Sequence, residues 1–580
     1  MTLEQCRSLG FQFQALSYAW EGDVTCNELQ TPDGLMSITA SLSQALCNLR
    51  SPRHAGLIWA DAICINQHNN QEKSHQVRRM RDIYQKATQV MVYLGDETVF
   101  DRSGMAALHM VRNIDFGNGG PTHPFAPLVG YGDPQHPGWK AVRRLFQCPW
   151  FRRVWVVQEF VVATRVRFVF GRRELDWQFV FESVAKANLV GLTGGLLRDF
   201  TKANPWELGI TDRGMRSFLT MCQLRREYHR GKRWSLFELA TQFASNEASR
   251  ARDHLFGLLG LAEDGDDPAL EPDYNEPLES IVRRCTLHFI KHNNPGCLRV
   301  LCFAGLGSSP SRFPSWIPDW TVERHKESTL IYSPACKNNF YDAAGGRGGP
   351  VLFHPETNVL RVFGLYVDTV AHVGRDRRSL LHGVPGPDVN AVDQIMHIQD
   401  AEELVRLAKV PPDHKDLDEV LWRTLVGDGI AEGRQAPQEY SVAVAAARRI
   451  ATIHRTWLGH VDDFPCPPPL EQMEKEDVSE SEIARLWEIS LPCRSSLYWL
   501  LRTCRKFCVT ERGYAGLIPS QAQPGDLVYV LYGVPVPLIL RKSPTRENGL
   551  LVVGESYIHG LMRGEAFTLS ETGHDLLEIQ

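Results

Sequence analysis

A chain of 580 residues is too long for one compact core, so roughly two to four domains are expected. Its 43% hydrophobic and 23% charged residues are those of a globular protein and exclude wholesale disorder. A net charge of −5 carries no strong sign at this length, which argues against a general nucleic-acid binder, a class that is commonly basic.

The opening MTLEQCRSLGFQF has no basic segment leading into an apolar core, and no run approaches the ~18 apolar residues of a membrane span. The fourteen cysteines show no CxxC spacing. These features predict a cytoplasmic protein with reduced thiols and no membrane span. In chain order, Phe13–Tyr18 reads as a short strand and Ser41–Leu49 as a helix, with Leu42, Ala45, Leu46 and Leu49 on one face. Leu57–Ile65 reads as a second, buried strand. Asn69, with Glu72 three residues on, marks the start of a helix that carries Val77, Met80, Ile83, Tyr84 and Ala87 along one side. Val90–Leu94 is a third strand. The glycine- and proline-rich stretch 117–138 is expected to be loop, followed by a helix through Arg153–Ala163 and a strand at Val166–Phe170. Strands alternating with helices predict a mostly parallel sheet flanked by helices.

Beyond this the pattern changes, and four regions are expected. Residues 1–185 form the α/β domain, and 186–330 a mainly helical region that ends in the loop PSWIPDW. Residues 331–510 are α+β, with an acidic and proline-rich linker near 465–482, and 511–580 a small antiparallel β meander. The basic RREYHRGKR at Arg225–Arg233 reads as a solvated helix end.

Among the polar candidates, Glu159 stands out. On its helix nearly every neighbour is apolar, and a carboxylate buried there without partners would cost several kcal/mol. It must reach a ligand, water or an arginine. Asn66 and Gln67, past the carboxyl end of the second strand, either line a ligand crevice or bond the turn backbone. Asp61 either pairs with a basic group or caps a buried N–H. Trp20 and Trp59 are core or wall, or else a stacking platform. There is no GxxxxGK[ST], GxGxxG after a strand, HExxH or GxSxG, and His68 with His75 lacks a third ligand, so no metal and no resident cofactor are expected.

Three stretches in order resemble the fungal heterokaryon incompatibility (HET) domain family: ALSYAW at Ala15–Trp20, WADAICINQ through MVYLG at Trp59–Gly95, and RRVWVVQEFVVA at Arg152–Ala163. RARDHLFGLLGLA, PDY, PSWIPDW and the C-terminal ERGYAGLIP and QPGDLVYVLYG are similar to blocks of full-length members. Two departures are Glu21 between Trp20 and Gly22, and RARD in place of a proline-containing DPRD. The resemblance implies an effector or regulator of fungal non-self recognition and programmed cell death, with a protein partner and possible self-association. Family members beside metabolite-biosynthesis genes leave an accessory role open, and a non-catalytic scaffold is a further alternative. The family is in turn remotely similar to Toll/interleukin-receptor (TIR) domains, which implies a flavodoxin-like α/β fold for residues 1–185. Carried over by that likeness, Glu159 would be the catalytic carboxylate of an NAD glycohydrolase, with NAD as substrate. Ser17, Tyr18, Trp20, Asp61, Asn66, Gln67, Arg153 and Trp155 would line the binding site.

Overall fold

The computed structural model describes residues 12–20, 25–32, 34–50, 56–113, 136–189, 205–292, 298–305, 313–320, 340–375, 400–410, 416–429, 434–458, 505–569 and 574–580, with a few isolated positions between 329 and 493. Most of the expected 117–138 loop and of the 465–482 linker lies outside the described residues. The chain forms two compact units, one of residues 1–278 with 320–323 and one of 279–319 with 324–580.

In the first unit the strands are β1 (Phe13–Tyr18), the hairpin β2 (Thr25–Thr31) and β3 (Gly34–Thr39), β4 (Leu57–Trp59), β5 (Gln89–Tyr93), β6 (Val166–Phe170) and β7 (Arg173–Leu175). The main sheet runs in the order β4-β1-β5-β6-β7. Its first four strands are parallel, with Ala15 opposite both Trp59 and Val90, and Val92 opposite both Ser17 and Phe168. β7 turns back antiparallel to β6, so the sheet is mixed.

The helices between these strands are α1 (Ala40–Leu49), α2 (Asp61–Cys64), α3 (Asn70–Lys86), α4 (Arg102–Arg112), α5 (Pro137–Gln147) and α6 (Val156–Val161), and α7 (Trp177–Leu189) and α8 (Pro205–Tyr228) follow the last of them. α3 starts where its cap predicts: the Asn69 side chain accepts the N–H groups of Gln71 and Glu72. Its buried face is Val77, Met80, Ile83 and Tyr84.

Three expectations are corrected. The run Leu57–Ile65 is not one strand; β4 ends at Trp59. The Asp61 carboxylate takes the Ala62 N–H at 2.8 Å, and the N–H groups of Ile63 and Cys64 turn back to the Ala60 carbonyl. Local bonds thus satisfy the backbone that a ladder would otherwise pair. The basic segment at 225–233 is not wholly solvated either. Arg225 is buried, donating to the Phe160 carbonyl at 2.6 Å and the Thr164 carbonyl at 3.2 Å, with its guanidinium over the rings of Phe160 and Trp177. A cation at the carboxyl end of α6 meets the unpaired carbonyls and the negative end of the helix dipole. Burial pulls this guanidinium down to about 10.

α6 is shorter than the predicted Arg153–Ala163 helix; Pro149–Arg152 forms a separate 3₁₀ turn before it. The turn drives Trp150 and Phe151 into an aromatic cluster with Phe160, Phe168 and Phe218, ring centroids 5.1–6.4 Å apart. Each ring is fully buried, contributing about 2–3 kcal/mol of hydrophobic stabilisation. The cluster anchors both ends of the segment that carries Glu159.

In the second unit the long strand β9 (Val359–Val373) organises a sheet with β8 (Leu352–His354), β10 (Lys506–Thr510), β11 (Ala515–Ile518), β12 (Leu527–Leu531), β13 (Leu538–Lys542), β14 (Gly549–Glu555), β15 (Tyr557–Ile558) and β16 (Asp575–Ile579). β9 pairs with β16 through Leu360–Gly364 and with β12 through Gly364–Thr369, so the ring β9-β12-β13-β14-β16 closes on itself. Closure removes the exposed edges that would otherwise invite pairing. Gly364 sits where both neighbours meet. A Cβ there would lie 2.5 Å from Leu531 Cδ2 and 3.0 Å from Leu577 Cδ1. All these pairings are antiparallel except β14 with β16, and the interior is filled by Leu365, Val367, Val528, Val530, Ile539 and Val553. Ser315 and Trp316 of the PSWIPDW segment pack on this unit. The Ser315 hydroxyl accepts the Val552 N–H at 2.9 Å, and the Trp316 indole donates to the Asn358 carbonyl at 2.9 Å.

Candidate functional site

Parallel strands place their carboxyl ends, and whatever follows them, at one rim of the sheet. At that rim of the first unit, β1 ends in Ser17 and Tyr18, and α6 brings Glu159 against them. The Ser17 hydroxyl donates to Glu159 Oε2 while accepting the Trp150 indole N–H at 2.7 Å. One hydroxyl thus joins the strand end, the 3₁₀ turn and the carboxyl. The Tyr84 hydroxyl of α3, which donates to the Leu16 carbonyl at 3.2 Å, also lies within hydrogen-bonding reach of Glu159.

Glu159 is 2% exposed and Ser17 1%. Burial raises the Glu159 carboxyl to about 7. Arg153 opposes the rise, Asp61 adds to it, and the bonds from Ser17 and Tyr84 oppose it. Desolvation of the ion therefore outweighs its nearest favourable charge. Arg153 hydrogen-bonds the Tyr18 carbonyl and acts on Glu159 through space, without an ion pair among the described residues.

Asp61 stands across from this group, partly exposed. Burial raises its carboxyl, while Arg153, the Ala62 N–H and a bond from the Trp20 side chain pull it back. The Tyr18 phenol is pushed far up, by burial first and by the charge of Asp61 next. Its ring stacks on Trp20 with centroids 6.4 Å apart and planes 21° apart. Trp20 remains 37% exposed, so part of an aromatic ring reaches solvent beside Asp61. Trp59 meets Tyr84 edge-on at 5.5 Å and forms wall.

The structure therefore gathers Ser17, Tyr18, Trp20, Asp61, Arg153 and Glu159 into one acidic, aromatic-rimmed cluster. Three other candidate residues are engaged elsewhere. Asn66 accepts the His68 N–H at 3.1 Å and Gln67 donates to the Asp61 carbonyl at 3.2 Å, so both bond the turn after α2. Glu72 reaches back to the Asn66 N–H at 2.9 Å. Trp155 turns its indole N–H to Asp253, at 3.2 Å, in a short helix α10 (Asp253–Phe256; α9 is Leu236–Gln242). Asp253 also accepts the Tyr274 hydroxyl at 2.6 Å, and burial raises its carboxyl.

Trp150 and Tyr84 were missed as site residues. Both look like core aromatics in the sequence, and only their single polar atoms, aimed at Ser17 and Glu159, reveal the second role. Beside Glu159, Gln158 is 1% exposed, and neither polar atom of its amide has a hydrogen-bond partner among the described residues.

Residues 13–159 match the family described as heterokaryon incompatibility protein (HET), and residues 357–577 the Het-6 β-barrel domain. The first match closes on Glu159, and the second spans the closed sheet around β9. A similar curated protein is heterokaryon incompatibility protein 6, OR allele, of Neurospora crassa. It is 25% identical over 643 residues, an alignment covering 96% of this chain and 90% of that protein. No solved structure matches the chain. The chain thus carries a heterokaryon incompatibility (HET) domain at residues 13–159 and a Het-6 β-barrel domain at residues 357–577, and is similar over nearly its whole length to a heterokaryon incompatibility protein.

Proposed function

We propose that this protein serves fungal heterokaryon incompatibility as a cell-death effector, and that its α/β unit does so by hydrolysing the nicotinamide–ribose bond of NAD at Glu159. The incompatibility role rests on the family and on the similarity to heterokaryon incompatibility protein 6 across both units. The chemical reading is carried by one observation: a buried carboxyl, held by Ser17 at the carboxyl end of β1, whose proton is balanced near neutrality.

Without the β2–β3 hairpin, the parallel strands run second-first-third-fourth, the order of flavodoxin-type sheets. In that order the crevice opens between the first and third strands, here β1 and β5, and Ser17 and Tyr18 stand at its edge. This supports a TIR-like fold for the unit. Glycosidic cleavage develops positive charge on the ribose carbon, and a fixed carboxylate stabilises it most where water is excluded. Arg153 and the Ser17 hydroxyl favour the ionised form that this task needs, and the stacked Tyr18 and Trp20 offer a face to a flat base.

The second reading is a non-catalytic scaffold, favoured by the near-complete burial of Glu159. Conditional expression in a fungal host, scored for growth arrest, tests the effector role. Nicotinamide release from NAD by purified wild type and Glu159→Gln tests the chemistry. Killing that persists in Glu159→Gln, with no nicotinamide released by either protein, selects the scaffold. The partner is expected to be a protein of the non-self recognition system. Among the described residues no helix is long and apolar enough to cross a membrane.

A further inference from the structure

Two motifs that the Glu159 cluster does not absorb, RARD and PDY, meet in the first unit around the ring of Tyr274. The PDY loop is pinned to helix α3: the Tyr274 N–H donates to the Ser74 hydroxyl at 3.2 Å, and the Asn70 amide donates to Asn275 Oδ1 at 3.0 Å. The Tyr274 hydroxyl donates to Asp253 Oδ1 at 2.6 Å, and Phe256 packs on the ring in a T-shaped arrangement at 5.5 Å. The ring is buried and held from three sides. Three cations converge on it. Lys73 Nζ lies 5.7 Å from the ring centroid, the Arg250 guanidinium 5.6 Å and the Arg252 guanidinium 5.7 Å, each inside the ~6 Å over which an aromatic ring attracts a cation.

Arg252 is satisfied where it stands, donating to the carbonyls of Asp273, Tyr274 and Glu276 at 2.8–3.2 Å. Lys73 and Arg250 are not. Neither has a side-chain hydrogen bond or an ion pair among the described residues. The charges that act on Lys73 are Arg250, which is like-signed, and Asp253. Asp253 is one buried acid for two cations, and both of its oxygens are already taken, by Tyr274 and by Trp155. The neighbouring acids are engaged elsewhere: Glu72 with the Asn66 N–H, Asp273 with the Asn275 N–H, Glu271 with Arg78, and Glu276 with a contact of its own. Accordingly the Lys73 ammonium is pulled below its ordinary range, by burial first and by the charge of Arg250 next. Arg250 is also where this chain leaves the HET-family pattern: RARD stands for DPRD, a basic residue in the place of an aspartate. An acid there would offset Lys73, whereas the arginine doubles the positive charge.

We infer that Lys73 and Arg250 together bind the phosphate group of a small ligand beside the Tyr274 ring. A guanidinium presents a fork of N–H donors and an ammonium a compact point charge; a phosphate dianion has the charge and the oxygens to meet both, where a carboxylate brings one charge only. Lys73 stands in the first turn of α3, whose amino end adds to the positive field. The site rests on Lys73 and Arg250, neither of which belongs to the Glu159 cluster, so it stands or falls independently of the chemistry proposed there.

The test is calorimetric titration of the full-length protein at pH 8 with inorganic phosphate and with phenyl phosphate, using acetate at matched ionic strength as the single-charge control. Inorganic phosphate is expected to saturate one site below about 10 mM, with acetate at least tenfold weaker (about 1.4 kcal/mol). Phenyl phosphate that binds as well assigns the site to phosphate monoesters; phosphate alone assigns it to the free ion. Lys73→Gln and Arg250→Gln, with circular dichroism as the check on folding, are each expected to weaken phosphate about tenfold. Arg250→Asp, which restores the acid of the family pattern, should abolish binding, and Arg79→Gln, on the same helix, should leave it unchanged. The inference fails if neither phosphate compound saturates, if acetate binds as tightly, or if either glutamine variant binds as wild type does. It also fails if Arg79→Gln loses as much as they do, since that marks a general basic surface rather than a site.

Discussion

Replacing Glu159 by glutamine tests the site through folding rather than through turnover. The carboxyl lies at about 7 in the folded protein against an ordinary 4.5. In that window the native state holds a proton that the unfolded chain has released, so stability falls as the pH rises from 4.5 to 7 and is level on either side. At about 1.4 kcal/mol per pH unit, the ionised Glu159 costs the fold about 3 kcal/mol above neutrality. Glutamine keeps the size and can still accept the Ser17 hydroxyl, but never carries the charge. The variant should match wild type near pH 4.5 and exceed it by about 2–3 kcal/mol at pH 8. Pulse proteolysis in urea, scoring fragments of the first unit at matched pH, reads the difference and cancels every other titration common to both proteins. A difference that does not change with pH, or a variant less stable than wild type at pH 8, refutes the picture of a desolvated, nearly uncompensated carboxyl.

Nicotinamide release, which requires the ionised group, should rise with pH through a midpoint near 7, read from the pH profile of kcat; a flat profile from pH 5.5 to 8.5 contradicts the role given to Glu159. Gln158→Met replaces a buried amide that has no partner among the described residues with an apolar side chain of similar length, and should stabilise the first unit by about 1–2 kcal/mol in the same proteolysis assay. Asp253→Asn leaves one acceptor oxygen for two donors, Trp155 and Tyr274, and should cost about 1–2 kcal/mol. In the second unit, Arg505 and Glu555 form a buried pair at 2.6 Å. Arg505→Met alone should cost about 3–5 kcal/mol by taking this cation from the buried carboxylate, and Arg505→Met with Glu555→Gln should recover much of it.

The sequence made Glu159 legible because a lone acid in VWVVQEFVV must reach water, a cation or a ligand. Ser17 and Tyr18 were legible as site residues only through the likeness to TIR domains, which implies such a pair at the end of the first strand. The fate of Asn66 and Gln67 was not legible: an amide that bonds its own turn and an amide that faces a ligand look alike until the backbone path is known. The second strand was misread for a related reason. Its apolar run passes through Asp61 unbroken in hydropathy, while the backbone turns helical there because a single carboxylate offers the next N–H a nearer partner than a neighbouring strand would. Barrel closure was also hidden. β9 lies more than 130 residues before its first C-terminal partner β10, and no periodicity announces which distant strands will meet.

The site also depends on chain that follows it by about sixty residues or more. The family match ends at Glu159, yet the turn that aims Glu159 is clasped by later segments of the same unit. Arg152 pairs with Glu247 at 2.6 Å, the Val154 N–H donates to the Glu247 carbonyl at 2.9 Å, and Asn246 reaches the Arg153 carbonyl at 3.2 Å. Asp253 then holds Trp155, Arg225 caps α6, and Phe218 fills the aromatic cluster. RARD and PDY, far apart from RRVW in sequence, meet here: Arg252 donates to the Asp273 and Tyr274 carbonyls, and Asp253 joins Tyr274 to Trp155. Arg153, which tempers the charge of both Glu159 and Asp61, is therefore positioned from outside the matched segment. The residues that hold the turn between Trp150 and Trp155, and with it Arg153, thus come from several later segments of the unit.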